Sequence, residues 1–73
     1  MKVRIRLDTM KEITQFVAIC SKIPADIHIT DGAGLKVSAK SVIGVMYSME
    51  FDDIWCECEQ DIYSKIEKFI MIE

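Results

Sequence analysis

Val3, Ile5 and Leu7 alternate with Lys2, Arg4 and Arg6, the period-two pattern of a strand with one face covered. The spacing then changes to three and four: Met10, Ile13, Phe16, Val17 and Cys20 share one face of a helix. Thr9 and Glu12 stand in the Thr-x-x-Glu arrangement of a capping box, which predicts the N-cap at Thr9, and Pro24 closes the segment. Ala25, Ile27 and Ile29 alternate with Asp26, His28 and Thr30, and Asp31-Gly32-Ala33-Gly34 supplies the positive-φ residues of a hairpin turn. Leu35, Val37 and Ala39 form the returning strand. Residues 41–49 predict a second helix with Ser41 in the capping position, Val42, Val45, Met46 and Met49 as its apolar stripe, and Gly44 weakening it. Ile54, Cys56 and Cys58 alternate with Trp55, Glu57 and Glu59 as a fourth strand. A last helix, capped by Asp61, carries Ile62, Ile66, Phe69 and Ile70.

Cleanly alternating strands interleaved with amphipathic helices predict an α+β open-faced β-sandwich. Its order is β-α-β-β-α-β-α: a four-stranded antiparallel sheet with three helices on one face, in a single domain over residues 1–73. Helices are expected to cover Val3, Ile5, Leu7, Ile27, Ile29, Val37, Cys56 and Cys58. Arg4, Arg6, His28, Ser38, Trp55, Glu57 and Glu59 are left on the free face.

Composition narrows the class. Of 73 residues, 51% are hydrophobic and 29% charged, which belongs to a folded globule rather than a disordered chain. The alternating start is neither a signal peptide nor a membrane span, so a cytoplasmic protein without membrane association is expected. Cys20, Cys56 and Cys58 are odd in number and lie inside apolar patterns, as reduced core thiols do; Cys56-x-Cys58 is not the redox Cys-x-x-Cys motif. Residues 1–40 hold seven Lys/Arg against four Asp/Glu, whereas residues 41–73 hold two against eight. The acidic segment from Glu50 to Asp61 excludes nucleic acid as a direct partner. His28, the single histidine, has Asp26 and Glu57 as same-face neighbours but no ligand-spaced motif, so no metal and no cofactor is expected.

The element order and several strings resemble HPr, the small phosphocarrier of the bacterial sugar phosphotransferase system. Ala39-Lys40-Ser41-Val42-Ile43-Gly44-Val45-Met46 is similar to the segment around the regulatory serine of Gram-positive HPr proteins. Gln15-Phe16-Val17 and the hairpin from Ile27 to Ser38 align in the same frame. Aligned so, Thr9 stands where the family has its phosphocarrier histidine, Lys11 replaces the neighbouring arginine and Glu12 the proline. The active-site signature is missing, and with it the imidazole that accepts a phosphoryl group near neutral pH.

The resemblance therefore implies a noncatalytic, HPr-like regulator similar to the catabolite-repression paralogues that lack the histidine. In the family, HPr kinase phosphorylates the serine matched by Ser41, and the phosphoprotein is a corepressor for a catabolite control transcription factor. Val42, Ile43 and Met46 match family positions that dock the kinase, enzyme I and that transcription factor, whereas periodicity alone gives Val42 and Met46 to the core. Ile43 and Tyr47 cannot share the buried face, so some apolar surface is expected on the outside. The segment from Met49 to Ile54 is shorter and more acidic than the family's connection. Two alternatives stand beside this reading: a phosphotransferase-system component that engages enzyme I with an unconventional acceptor or none, and an interaction module that keeps only the fold and works through Trp55. A homodimer by exchange of the first strand is compatible with all three.

Overall fold

The computed structural model describes residues 1–71; Ile72 and Glu73, the last positions of the expected domain, lie outside them. The chain order is β1 (Lys2–Ile5), α1 (Met10–Ser21), β2 (Ile27–Thr30), β3 (Lys36–Ser38), α2 (Val42–Ser48), β4 (Ile54–Cys58) and α3 (Tyr63–Ile66), which runs on as a 3-10 turn over Glu67–Phe69. The four strands make one antiparallel sheet in the order β1-β4-β2-β3. This is the α+β open sheet with three helices that the alternation predicts.

Period two decides which face is covered. Ile5, Ile27, Ile29, Cys56 and Cys58 are buried with Ile13, Phe16, Val17 and Cys20 of α1 and with Ile62, Ile66 and Phe69 of the C-terminal segment. Leu7 joins this core from the loop after β1, while Val3 and Val37 are half-buried against it. Phe16 and Phe69 meet edge to face, with ring centroids 5.3 Å apart, tying the first helix to the chain end. Among the described residues no buried side-chain N or O atom lacks a hydrogen-bond partner. No helix among them is long and apolar enough to cross a membrane.

Four expectations are corrected. Met10 is exposed, because it opens the first turn of α1 beyond the reach of the sheet. Asp61 does not cap α3: the N-cap is Ile62, and Asp61 Oδ1 accepts from the Tyr63 N–H (3.0 Å) one residue too early. Ile70 is not helical. Its segment pairs with the outer edge of β1, the Arg6 N–H donating to the Phe69 carbonyl (2.8 Å) and the Met71 N–H to the Arg4 carbonyl (3.0 Å). Edge pairing supplies the backbone partners that a longer helix would have supplied, and it shields an edge strand. The fourth correction concerns α2, where the expected stripe does not face the core.

The hairpin turn is built as its residues require. Gly32 and Gly34 have φ of +80° and +123°, and Asp31 Oδ1 accepts from the N–H groups of Ala33 (2.8 Å) and Leu35 (3.1 Å), as Asp does in turns. A Cβ at Gly32 would stand 3.4 Å from the indole Nε1 of Trp55. Thr30, opposite Trp55 in register, is buried although it belongs to the free face; its Oγ1 accepts from the Gly32 N–H (3.0 Å). The turn thus folds over that corner of the sheet.

Candidate functional site

Thr9 is the N-cap of α1, with its Oγ1 accepting from the Glu12 N–H (3.1 Å). Glu12 Oε1 in turn accepts from the N–H groups of Asp8 (3.0 Å) and Thr9 (3.2 Å) and from the Thr9 hydroxyl (3.4 Å). A helix N-terminus offers unpaired N–H groups and positive potential to an anion. Here a carboxylate of the chain itself takes that place. Glu12 takes the N–H groups of Asp8 and Thr9, and a second anion at this terminus would meet its charge. The hydroxyl of Thr9 is directed to the same carboxylate, so this terminus is organised for capping.

Ser41 is the N-cap of α2, its Oγ accepting from the Gly44 N–H at 3.1 Å. It is half-exposed. Beside it, Lys40 Nζ donates to the Ile23 carbonyl (2.7 Å) just beyond α1, which ties the start of α2 to the end of α1. A Cβ at Gly44 would stand 3.3 Å from Val37 Cβ and 3.4 Å from the Ser38 carbonyl oxygen. Gly44 is therefore the position that lets α2 lie close on β3, a role beyond the weakening of a helix.

That close approach turns the helix inside out. At 100° per residue, Ser41, Gly44, Val45 and Ser48 form one face, and this small-residue face is the packed one. Val45 and Ser48 are fully buried, and Ser48 Oγ donates to the Val45 carbonyl at 2.5 Å. The large apolar side chains point outward: Ile43 is 80% exposed, and Val42, Met46, Tyr47 and Met49 are exposed with it. Val42, Met46 and Met49 thus leave the core stripe that their spacing predicts. Within the helix the arc they share with Ile43 and Tyr47 carries no charged residue; exposed Glu50 follows on the same side just past the C-cap, Met49. Tyr47 also packs edge to face on Phe51, with ring centroids 5.8 Å apart.

At the far end of α2, Glu50 and Asp52 are exposed, while Asp53 pairs with Arg4. The structure therefore brings Ser41, Val42, Ile43 and Met46 together on one short helix. Thr9 belongs to a separate helix terminus. Ser48 is the feature missed by pattern reading; the signal for it was the run of small residues at positions 41, 44, 45 and 48, itself a helical spacing.

The remaining candidates lie elsewhere. His28 stands on the free sheet face between Glu57 and Ser38 in register, and Glu57 is committed to Lys36 (2.8 Å). The hydrogen bond from Lys36 is the principal reason the Glu57 carboxyl is held below its ordinary range, with desolvation opposing it. Among the described residues no group of three His, Cys, Asp or Glu side chains is arranged to hold a metal ion. Trp55 is half-buried, with Lys2 Nζ 5.6 Å from its ring centroid. Cys20, Cys56 and Cys58 are buried free thiols; burial pushes Cys20 and Cys56 up to about 12, leaving them protonated and unreactive. No family model, curated protein or solved structure matches the chain.

Proposed function

We propose that this chain is a noncatalytic, HPr-like adaptor of the cytoplasm that binds protein partners through the outer face of α2 and is switched by phosphorylation of Ser41. The observation that carries the reading is the orientation of α2: its apolar side chains face solvent directly after a half-exposed serine. Contiguous apolar surface of this kind marks interaction sites on soluble proteins. Glu12 at the α1 terminus supports a role without phosphotransfer at Thr9.

In the switch, HPr kinase transfers the γ-phosphoryl group of ATP to Ser41 Oγ; the hydroxyl proton leaves and ADP is released. The phosphate adds roughly −1.5 to −2 charge beside the first-turn N–H groups, where negative charge is favoured. It thereby recasts the electrostatics of one end of the helix that carries Val42 and Ile43.

The test is incubation with HPr kinase and ATP, followed by intact mass and site mapping. One phosphate on Ser41 is expected. No modification, or modification at another residue, removes the switch from the reading. Incubation with enzyme I and phosphoenolpyruvate is expected to leave no phosphate on the chain, and labelled Thr9 would restore a carrier role.

A further inference from the structure

Two of the exposed apolar side chains at α2, Met46 and Met49, carry sulfur, and a thioether is open to reversible oxidation. We propose that Met46 and Met49 form an oxidation site, at which a peroxide converts the outer face of α2 from apolar to polar and a sulfoxide reductase reverses the change. The oxidation rests on exposure alone; its consequence for partner binding rests on the reading of this face as a contact surface.

Met46 and Met49 keep 45% and 42% of their surface in water. At 100° per residue, Met46 falls near the middle of the outer arc, with Val42 and Met49 to one side of it and Ile43 and Tyr47 to the other. Met49 follows one turn on, at the C-cap. The remaining sulfur atoms are placed differently. Cys20, Cys56 and Cys58, from which a redox-sensing thiolate would come, are all buried. Met1 is half-buried against the core, and its Sδ accepts from the Ile62 N–H at 3.3 Å. Met10 is exposed but belongs to the first turn of α1. A peroxide in solution therefore reaches the thioethers of α2 without unfolding the chain, and does not reach the thiols.

In the reaction a sulfur lone pair attacks one oxygen of hydrogen peroxide, and the S–O bond forms as the O–O bond breaks. Sulfur gives up two electrons; the hydroxide released takes the proton of the transferred oxygen and leaves as water. A dithiol acting through a methionine sulfoxide reductase returns two electrons and two protons, so the oxygen leaves as water and the dithiol becomes a disulfide. The sulfoxide oxygen is a strong acceptor that holds water. An apolar partner surface would strip that water and leave the acceptor unpaired. The packed side of α2 is spared, because Val45 and Ser48 are buried on the opposite face.

The test is a time course of the full chain with hydrogen peroxide at neutral pH, read by peptide mass mapping, by retention on a phenyl column and by thermal melts. Met46 and Met49 are expected to gain one oxygen each, with Met10 and ahead of Met1. Retention falls as they do so, the melting temperature stays in place, and a sulfoxide reductase with dithiothreitol restores retention. Met46→Leu with Met49→Leu, which keeps the face apolar, is expected to remove most of the peroxide effect on retention, whereas Met10→Leu keeps it. Met46 and Met49 oxidising no faster than Met1 overturns the site. A native chain that the column does not retain, retention unchanged once both sulfoxides have formed, or unfolding on their formation overturns the conversion of the face. Phosphorylation of Ser41 by HPr kinase is measured on the unoxidised chain, so the adaptor reading stands or falls separately.

Discussion

Truncating one buried and one outward side chain of α2 separates the two orientations that its sequence allows. Val45 is 0% exposed and packed into the core, so Val45→Ala deletes two buried methyl groups. At about 0.8 kcal/mol each for transfer, plus a term for the cavity left, the cost is about 2–3 kcal/mol. A chain of this length has roughly 4–11 kcal/mol of stability in total, so the loss is a large fraction of it. Ile43 keeps four-fifths of its surface in water. Ile43→Ala therefore removes almost no burial, and the better helix propensity of alanine offsets what remains, leaving the change within about 0.5 kcal/mol. Urea unfolding followed by circular dichroism gives both numbers if the slopes agree; in a thermal melt Val45→Ala falls by about 10–20 °C. An Ile43→Ala variant as unstable as Val45→Ala would refute the inverted helix, as would a Val45→Ala loss under about 1 kcal/mol.

Glu12→Ala removes the acceptor shared by the Asp8 and Thr9 N–H groups and is expected to cost about 1 kcal/mol by urea unfolding, with Glu12→Gln retaining part of it. The buried thiols of Cys20 and Cys56, pushed up to about 12 by burial, are expected to resist a thiol reagent at pH 8 in the folded protein and to react only at the rate of opening; rapid native labelling would contradict their burial. The N–H of Ala33 foremost, and that of Leu35, hold the Asp31 carboxyl below its ordinary value of 3.8. A carboxyl with a lowered folded value contributes stability above its unfolded value and loses it as pH falls through the folded one. Acid titration of stability is thus expected to be shallower below pH 3.8 in Asp31→Asn than in wild type. Gly44→Ala gains helix propensity but presses a methyl against Val37 and the Ser38 carbonyl, and is expected to destabilise; a gain in melting temperature would show that β3 yields.

Period-two and period-3.6 patterns are enough to place the strands and the first helix, because there, Met10 and Leu35 apart, the large apolar residues of the pattern are buried or half-buried. Ile5, Ile27, Ile29 and Cys56 behave so, as do Ile13, Phe16 and Cys20. In α2 this equation of size with burial fails. A Cβ at Gly44 would press on Val37 and Ser38 of β3, and Val45 and Ser48 are the buried side chains of the same face, so the face with the smaller residues wins the packed side. The chain end departs from its pattern for another reason: a hydrophobic stripe does not reveal when a free strand edge will take the backbone, as β1 takes residues 69–71. The capping box at Thr9 was legible because its chemistry is local. That its carboxylate also takes the Asp8 N–H, and sets negative charge at the same terminus, follows from three-dimensional hydrogen bonding, which spacing alone suggests only in outline.

The fold makes no demand for what α2 exposes. Its packing contact is complete with Gly44, Val45 and Ser48, and Ser41 supplies the cap. Position 43 contributes little to burial, while Val42 and Met46 keep 37% and 45% of their surface in water; at position 43 glutamate, lysine or glutamine would form helix as well as isoleucine, or better. Such residues would also spare a small acidic protein a patch that invites association. Stability therefore does not account for Ile43, and accounts for Val42 and Met46 only in part, whereas it fully accounts for Ile13, Phe16 and Val45. Residues that the fold does not need, gathered on one face beside a half-exposed serine, are what a contact surface requires. The same separation predicts that Ile43→Glu weakens partner binding while leaving the melting temperature in place, the combination that a purely structural helix cannot produce.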